Sequence, residues 1–214
     1  MTQSKFALLI LNGRPPSKSL ISRFWNDAAI RICADGAFNI LNKYHLEPEV
    51  ILGDLDSFDK AIKLQSISSK LIHIPDQDTT DGEKAIKYCQ EKNYKNIAIL
   101  GALGKRSDHW IYNIGLLKHG LNQKLQVFLY GEQEKLFICD AYVEIQAKKG
   151  TIISIIPIYG EAYIESTSGL RYPMQKQKLN LGNFSSISNE FENNLITIKV
   201  AQGEVLISLF YPNS

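Results

Sequence analysis

The chain has 214 residues, 44% of them hydrophobic and 21% charged, with a formal net charge of +2. A chain of that length fits one large or two small domains that bury roughly 70% of the surface exposed on unfolding, so stability requires neither disulfides nor a structural metal. The basic residues are scattered, which argues against a nucleic-acid or membrane-surface partner, and no apolar run approaches the ~18 residues of a spanning helix. Cys33, Cys89 and Cys139 are odd in number, far apart, and set in or beside apolar runs. They read as reduced, buried thiols, and with no signal-peptide pattern the expected location is the cytoplasm.

Taken in order, the first part alternates short apolar runs with amphipathic segments. Strands are expected over 6–11, 30–34, 50–52, 71–74, 96–100 and 125–130, and helices over 17–27, 37–44, 81–92 and 108–118. Thr80-Asp81-Gly82-Glu83 has the form of a capping box and starts one helix. Such alternation predicts an α/β domain with a mostly parallel sheet covered by helices on both faces. Beyond Glu134 the helical pattern stops. Short β-rich runs over 137–146, 151–156, 162–166, 195–200 and 205–211 follow, punctuated by Gly150, Gly160, Gly169, Gly182 and Gly203. These predict a C-terminal antiparallel β-sandwich. The expected division is an α/β domain over 1–135 and a β-sandwich domain over 136–214.

Ligands of an open parallel sheet bind outside the carboxyl ends of its strands, and four expected strand ends here carry acids. They lead into Asp35-Gly36, into Gly53-Asp54-Leu55-Asp56-Ser57, into the run from Asp76 through Asp78 to Asp81, and into Gly101-Ala102-Leu103-Gly104-Lys105-Arg106-Ser107-Asp108-His109. Each acid has a structural reading alone. Asp35 would cap a helix, Asp81 and Asp108 would sit in first turns where the helix dipole favours negative charge, and Asp54 and Asp56 would bond their own turn backbones. Together, carboxylates gathered at one sheet edge repel one another, and a magnesium ion carrying phosphate oxygens relieves that conflict. Gly101 and Gly104 let backbone approach a ligand, a helix N-terminus follows, and Arg106 can fork onto phosphate. The loop is not a Walker A sequence, because only two residues separate its glycines. His109 reads equally as a nucleotide contact and as a half-buried residue at the helix start.

In order and spacing these four acidic motifs, with Thr167-Ser168-Gly169-Leu170-Arg171-Tyr172 and Ser186-Ile187-Ser188-Asn189, resemble thiamine pyrophosphokinase over nearly the whole chain. The resemblance implies the diphosphate transfer from ATP to thiamine, giving AMP and thiamine diphosphate, and a homodimer with thiamine at the subunit interface. It implies magnesium on Asp54 and Asp56, with Asp108 as a further ligand, and active-site roles for Asp35, Asp78 and Asp81. Arg106 matches a phosphate-contacting arginine. Gly36, Ser57, Gly101, Gly104 and His109 fall on the nucleotide side, and Ser186, Ser188 and Asn189 where the thiamine pyrimidine is held. A tryptophan that stacks on thiamine in eukaryotic members is replaced here by Ile207. The acids alone leave two other readings open. One is a glycosyltransferase holding a metal on an Asp-x-Asp pair, and the other is a non-catalytic nucleotide or thiamine sensor.

Overall fold

The computed structural model describes residues 5–55, 68–76 and 78–211. It divides into two compact units, Met1–Glu132 and Gln133–Ser214. In the first, β1 (Phe6–Ile10), β2 (Ile30–Ala34), β3 (Val50–Gly53), β4 (Lys70–His73), β5 (Asn96–Leu100) and β6 (Gln126–Tyr130) pair in the order β6-β5-β1-β2-β3-β4. Every one of these pairings is parallel. The helices are α1 (Lys18–Trp25), α2 (Asp35–Lys43), α3 (Asp81–Glu91) and α4 (Ser107–Asn122).

Central strands of a parallel sheet are covered on both faces, and their sequences show it. Leu8, Leu9 and Ile10 of β1 and Ile97, Ile99 and Leu100 of β5 are all fully buried. Helix starts follow local chemistry. Ser17 Oγ accepts from Leu20 N at α1. At α3, Thr80 Oγ1 accepts from Glu83 N while the Glu83 carboxylate accepts from Thr80 N, the reciprocal pair expected from the sequence. Helix α2 starts at Asp35, two residues earlier than expected. An acid in the first turn is favoured by the helix dipole, and the glycine after it does not prevent helical geometry. The order of strands reverses at β1: β2, β3 and β4 lie on one side, β5 and β6 on the other. Such a switch point leaves a crevice at the carboxyl edge of the sheet.

The second unit holds two antiparallel sheets. One is ordered β12 (Ser186–Glu190), β9 (Ile152–Ile156), β14 (Val205–Phe210), β7 (Glu134–Cys139); the other β11 (Gln175–Leu179), β10 (Ala162–Ser168), β13 (Leu195–Gln202), β8 (Tyr142–Gln146). Alternate residues are buried along the strands, such as Ile153 and Ile155 of β9 and Ile196 and Ile198 of β13. The α/β-plus-sandwich class expected from the sequence is therefore the one observed. The run 137–146 is not one strand but two. A bend at Asp140–Ala141 sends β7 and β8 into different sheets. No helix among the described residues is long and apolar enough to cross a membrane.

Candidate active site

At the carboxyl edge of the first unit's sheet lies a cleft of about 750 Å³, within the range of small-molecule sites. Its wall is drawn from five chain segments, one of them Ala34 at the end of β2. Leu11, Asn12 and Gly13 follow β1, Asp54 follows β3, and Asp76, Thr79, Thr80 and Asp81 join β4 to α3. Gly104, Lys105, Arg106, Asp108 and His109 lie between β5 and the first turn of α4. The loops after β1 and β5 run side by side, Gly13 N donating to Gly101 O at 2.7 Å and Arg14 N to Leu103 O at 3.1 Å. At Gly101, with φ +69°, a Cβ would fall 2.2 Å from Leu11 O, so only glycine permits this approach.

The acids converge in part. Asp35 is 3% exposed and does not itself line the cleft. Its Oδ1 accepts from Gly36 N, whereas Oδ2 is buried without a hydrogen-bond partner. Burial pushes this carboxyl above the usual range, the Gly36 amide works against that, and the charge of Asp81, then the Asp54 carboxyl through a shared-proton hydrogen bond and its charge, push it further up. A Cβ at Gly53 would lie 2.9 Å from the Asp35 carboxyl carbon, so the glycine before Asp54 makes room for this acid. Asp54 and Asp81 line the cleft half-buried. Asp78 is exposed and off the cleft wall; the acid of that run on the wall is Asp76. Hydrogen bonds from Thr79 Oγ1 and Asp78 N hold Asp76 below the usual carboxylate range. Asp56 and Ser57 lie outside the described residues.

At the start of α4 the N-cap residue Arg106 makes no capping bond; Asp108 Oδ1 accepts from His109 N at 2.9 Å, so an anion that displaces this carboxylate gains that amide and the helix dipole. Arg106 grips Asp108 through two hydrogen bonds, Nη2 to Oδ2 at 2.6 Å and Nε to Oδ1 at 3.2 Å. That pairing depresses the Asp108 carboxyl and raises the guanidinium. Both side chains are well exposed at the cleft, at 68% and 63%, and can swing onto a ligand. Asn113, one turn further along, donates from Nδ2 to Ala102 O at 2.8 Å and so ties the glycine loop to the helix.

Sequence reasoning passed over Asn12, Lys84, Tyr112 and Asn113, and placed Asp76 in an acidic run without giving it a role; all five are on the cleft wall. Lys84 had a readable signal, since it lies one helical turn from Asp81 on the same face. In the second unit Ser186 is half-buried and Ser188 exposed, the latter at φ +53° where β12 loses register with β9. Asn189 is 2% exposed. Its Nδ2 donates to Tyr172 O and Ser186 Oγ, and its Oδ1 accepts from Tyr172 N and Glu190 N. Ile207 is fully buried in β14 and presents no stacking surface.

The donor set suits a hard divalent cation. The side chains that act on the orphaned Asp35 Oδ2 are themselves acids, and a cation is the group that would satisfy all of them. Among the described residues no cluster of three or more His, Cys, Asp or Glu is assembled as a ready cage. Magnesium asks for less, taking one or two carboxylates and filling its shell with water and substrate phosphates.

Two family models match the chain. That for the thiamin pyrophosphokinase catalytic domain matches residues 21–129, and that for the thiamin pyrophosphokinase vitamin B1 binding domain matches residues 142–205. Thiamin pyrophosphokinase 1 of Caenorhabditis elegans is 31% identical over 88% of this chain and 83% of its own length. The crystal structure of thiamine pyrophosphokinase from Bacillus subtilis shares the fold with TM-score 0.82 and 24% identity over 96% of this chain and 99% of that one. The yeast thiamin pyrophosphokinase structure does so with TM-score 0.85 and 17% identity, covering 98% and 87%. The protein described here belongs to the thiamin pyrophosphokinase family.

Proposed function

We propose that this protein transfers a diphosphate group from ATP to the hydroxyl of thiamine, releasing AMP and thiamine diphosphate. The observation that carries the reading is the cleft itself. Carboxylates from the ends of β3 and of the β4–α3 connection line it together with Arg106 and the N-terminus of α4. This arrangement suits a polyphosphate, whose charge needs both a divalent ion and fixed donors.

The hydroxyl oxygen of thiamine attacks the β-phosphorus of ATP, a new P–O bond forms, and the bond to the α-phosphate oxygen breaks with AMP taking the electron pair. Arg106 leaves Asp108 to fork onto phosphate oxygens as negative charge shifts between them. The α4 N-terminal amides add a fixed positive end at the same wall. The hydroxyl proton passes to a carboxylate of the cluster. Asp81 lines the cleft, and Asp35, close enough for the two charges to interact, carries the raised proton affinity. Asp54 and Asp56 would hold magnesium, with Asp108 as a further ligand once Arg106 releases it; when bound, the ion supplies charge neutralisation across the phosphates. The first unit is thus the ATP- and magnesium-binding half of the molecule and the second the thiamine-binding half. There Ser186 and Ser188 would meet the pyrimidine, with Asn189 fixing Ser186 from beneath.

The assembly we propose is a cytoplasmic homodimer with thiamine at the subunit interface. Exposed apolar side chains of the second unit, among them Ile187 at 59% and Leu195 at 48%, support a covered face there. The free, buried state of Cys33, Cys89 and Cys139 accords with a reducing compartment. The decisive experiment incubates the purified protein with ATP and magnesium, with and without thiamine. AMP and thiamine diphosphate forming in equal amounts, and only with thiamine, is the expected result. ATP bound without turnover would make the protein a sensor, and indifference to ATP would overturn the reading.

A further inference from the structure

Lysine is almost never buried unless its charge is answered, yet the Lys84 side chain is only 7% exposed. It sits in α3, on the cleft wall, one helical turn after Asp81. An ammonium carries three N–H donors. Among the described residues Nζ donates to Ile74 O at 3.3 Å, a long contact, and stands 3.7 Å from Asp81 Oδ1, beyond hydrogen-bond reach. Its charge also reaches Asp76, whose carboxyl it helps to hold down. A desolvated cation so loosely answered, at the edge of a cleft, has donor capacity that a closer anion would take up.

We propose that Lys84 contacts the phosphates of the nucleotide that are transferred, a role that rests on the cleft being the ATP site. The assignment to those phosphates follows from its neighbours. Lys84 lies beside Asp81 and within charge range of Asp76, acids of the cleft around which a magnesium–polyphosphate would gather, whereas Arg106 is exposed and held by Asp108. A charge held in a low-dielectric wall acts more strongly on an incoming anion than an exposed one. The competing role is purely structural, with Lys84 serving only to tie α3 to Ile74.

The two roles separate by measuring calorimetric Kd values for ATP and for AMP, each with magnesium and without thiamine, in the parent protein, Lys84→Met and Lys84→Gln. Methionine keeps the apolar stem, and glutamine also keeps a donor for Ile74 O. A charge-assisted hydrogen bond corresponds to about 10- to 100-fold in affinity. Both variants are expected to lose ATP affinity by that factor and to keep AMP affinity within about twofold. Equal losses for ATP and AMP, or no loss for either, would overturn the proposal. So would a glutamine variant with parental ATP affinity, which would assign the effect to the Ile74 bond. Should the methionine variant fail to fold, the glutamine variant decides alone. Thiamine-dependent AMP formation by the parent protein tells the failures apart. Turnover with an unchanged ATP-to-AMP affinity ratio in the variants removes only Lys84, whereas a parent that neither binds ATP nor turns it over removes the ATP site as well.

Discussion

Replacing Asp35 with asparagine should make the protein more stable and less active at once. Asparagine has nearly the same shape, and its Oδ1 can keep the hydrogen bond from Gly36 N. What disappears is a 3%-exposed charge with one orphaned oxygen, pressed by Asp81 and Asp54. Relief of an unsatisfied buried charged group is worth about 1–3 kcal/mol, and 1 kcal/mol moves Tm by roughly 2–4 °C in a chain of this size. A rise of roughly 2–12 °C at pH 7, without magnesium or nucleotide, is therefore expected. The sign of the pH dependence follows from the upward shift. Asp35 binds its proton more tightly folded than unfolded, so its ionisation weakens the native state above the raised pKa. Below the unfolded value of about 3.9 it is protonated in both states and the penalty vanishes. The gap between variant and parent should narrow as pH falls from 7 toward 4. With ATP and magnesium at 100 times Kd, the parent should gain about 2.7 kcal/mol, the variant much less, while its turnover falls. Thermal melts over this pH series and an AMP-release assay make the check. A variant that melts below the parent at pH 7, a gap that widens on acidification, or full turnover would each refute the reasoning.

Arg106→Gln should leave the melting temperature unchanged, because the Arg106–Asp108 pair is exposed and such pairs add little. Its turnover should drop by about 100-fold or more, the usual effect of losing a transition-state donor, read in steady-state AMP release. Asn189→Ala should destabilise by about 1–3 kcal/mol in denaturant titrations, since it removes a buried amide that bonds the Tyr172 and Glu190 backbones. It should also raise KM for thiamine more than KM for ATP; equal effects on both substrates would detach Asn189 from the thiamine side. Thr80→Ala removes one half of the α3 capping box and should cost about 1 kcal/mol. Hydrogen exchange over α3 should rise with it, and an unchanged rate would show that the cap contributes nothing to the order of that helix.

Much of this molecule is written in local pattern. The alternation of apolar runs and amphipathic segments specifies the α/β half, because strand and helix periodicities are properties of neighbouring residues. The Thr80–Glu83 cap and the glycines of the loop after β5 are likewise short-range chemistry, and so is the placing of acids just after strands. Other features needed the tertiary structure. β11 and β12, with sequences QKQKL and SISNE, lie at the edges of their sheets and bury few side chains, so no apolar pattern marks them. The bend at Asp140 reads as an ordinary polar residue until the two sheets pull β7 and β8 apart. Nothing local distinguishes Asp76, on the cleft wall, from Asp78, off it. Nor does anything local announce that Lys84 is buried or that the Asn189 amide is spent on Tyr172, Ser186 and Glu190. A side chain's chemistry travels with its residue, but its solvation and its partners are set by segments distant in sequence, and those decide which charged or polar group remains available for a ligand.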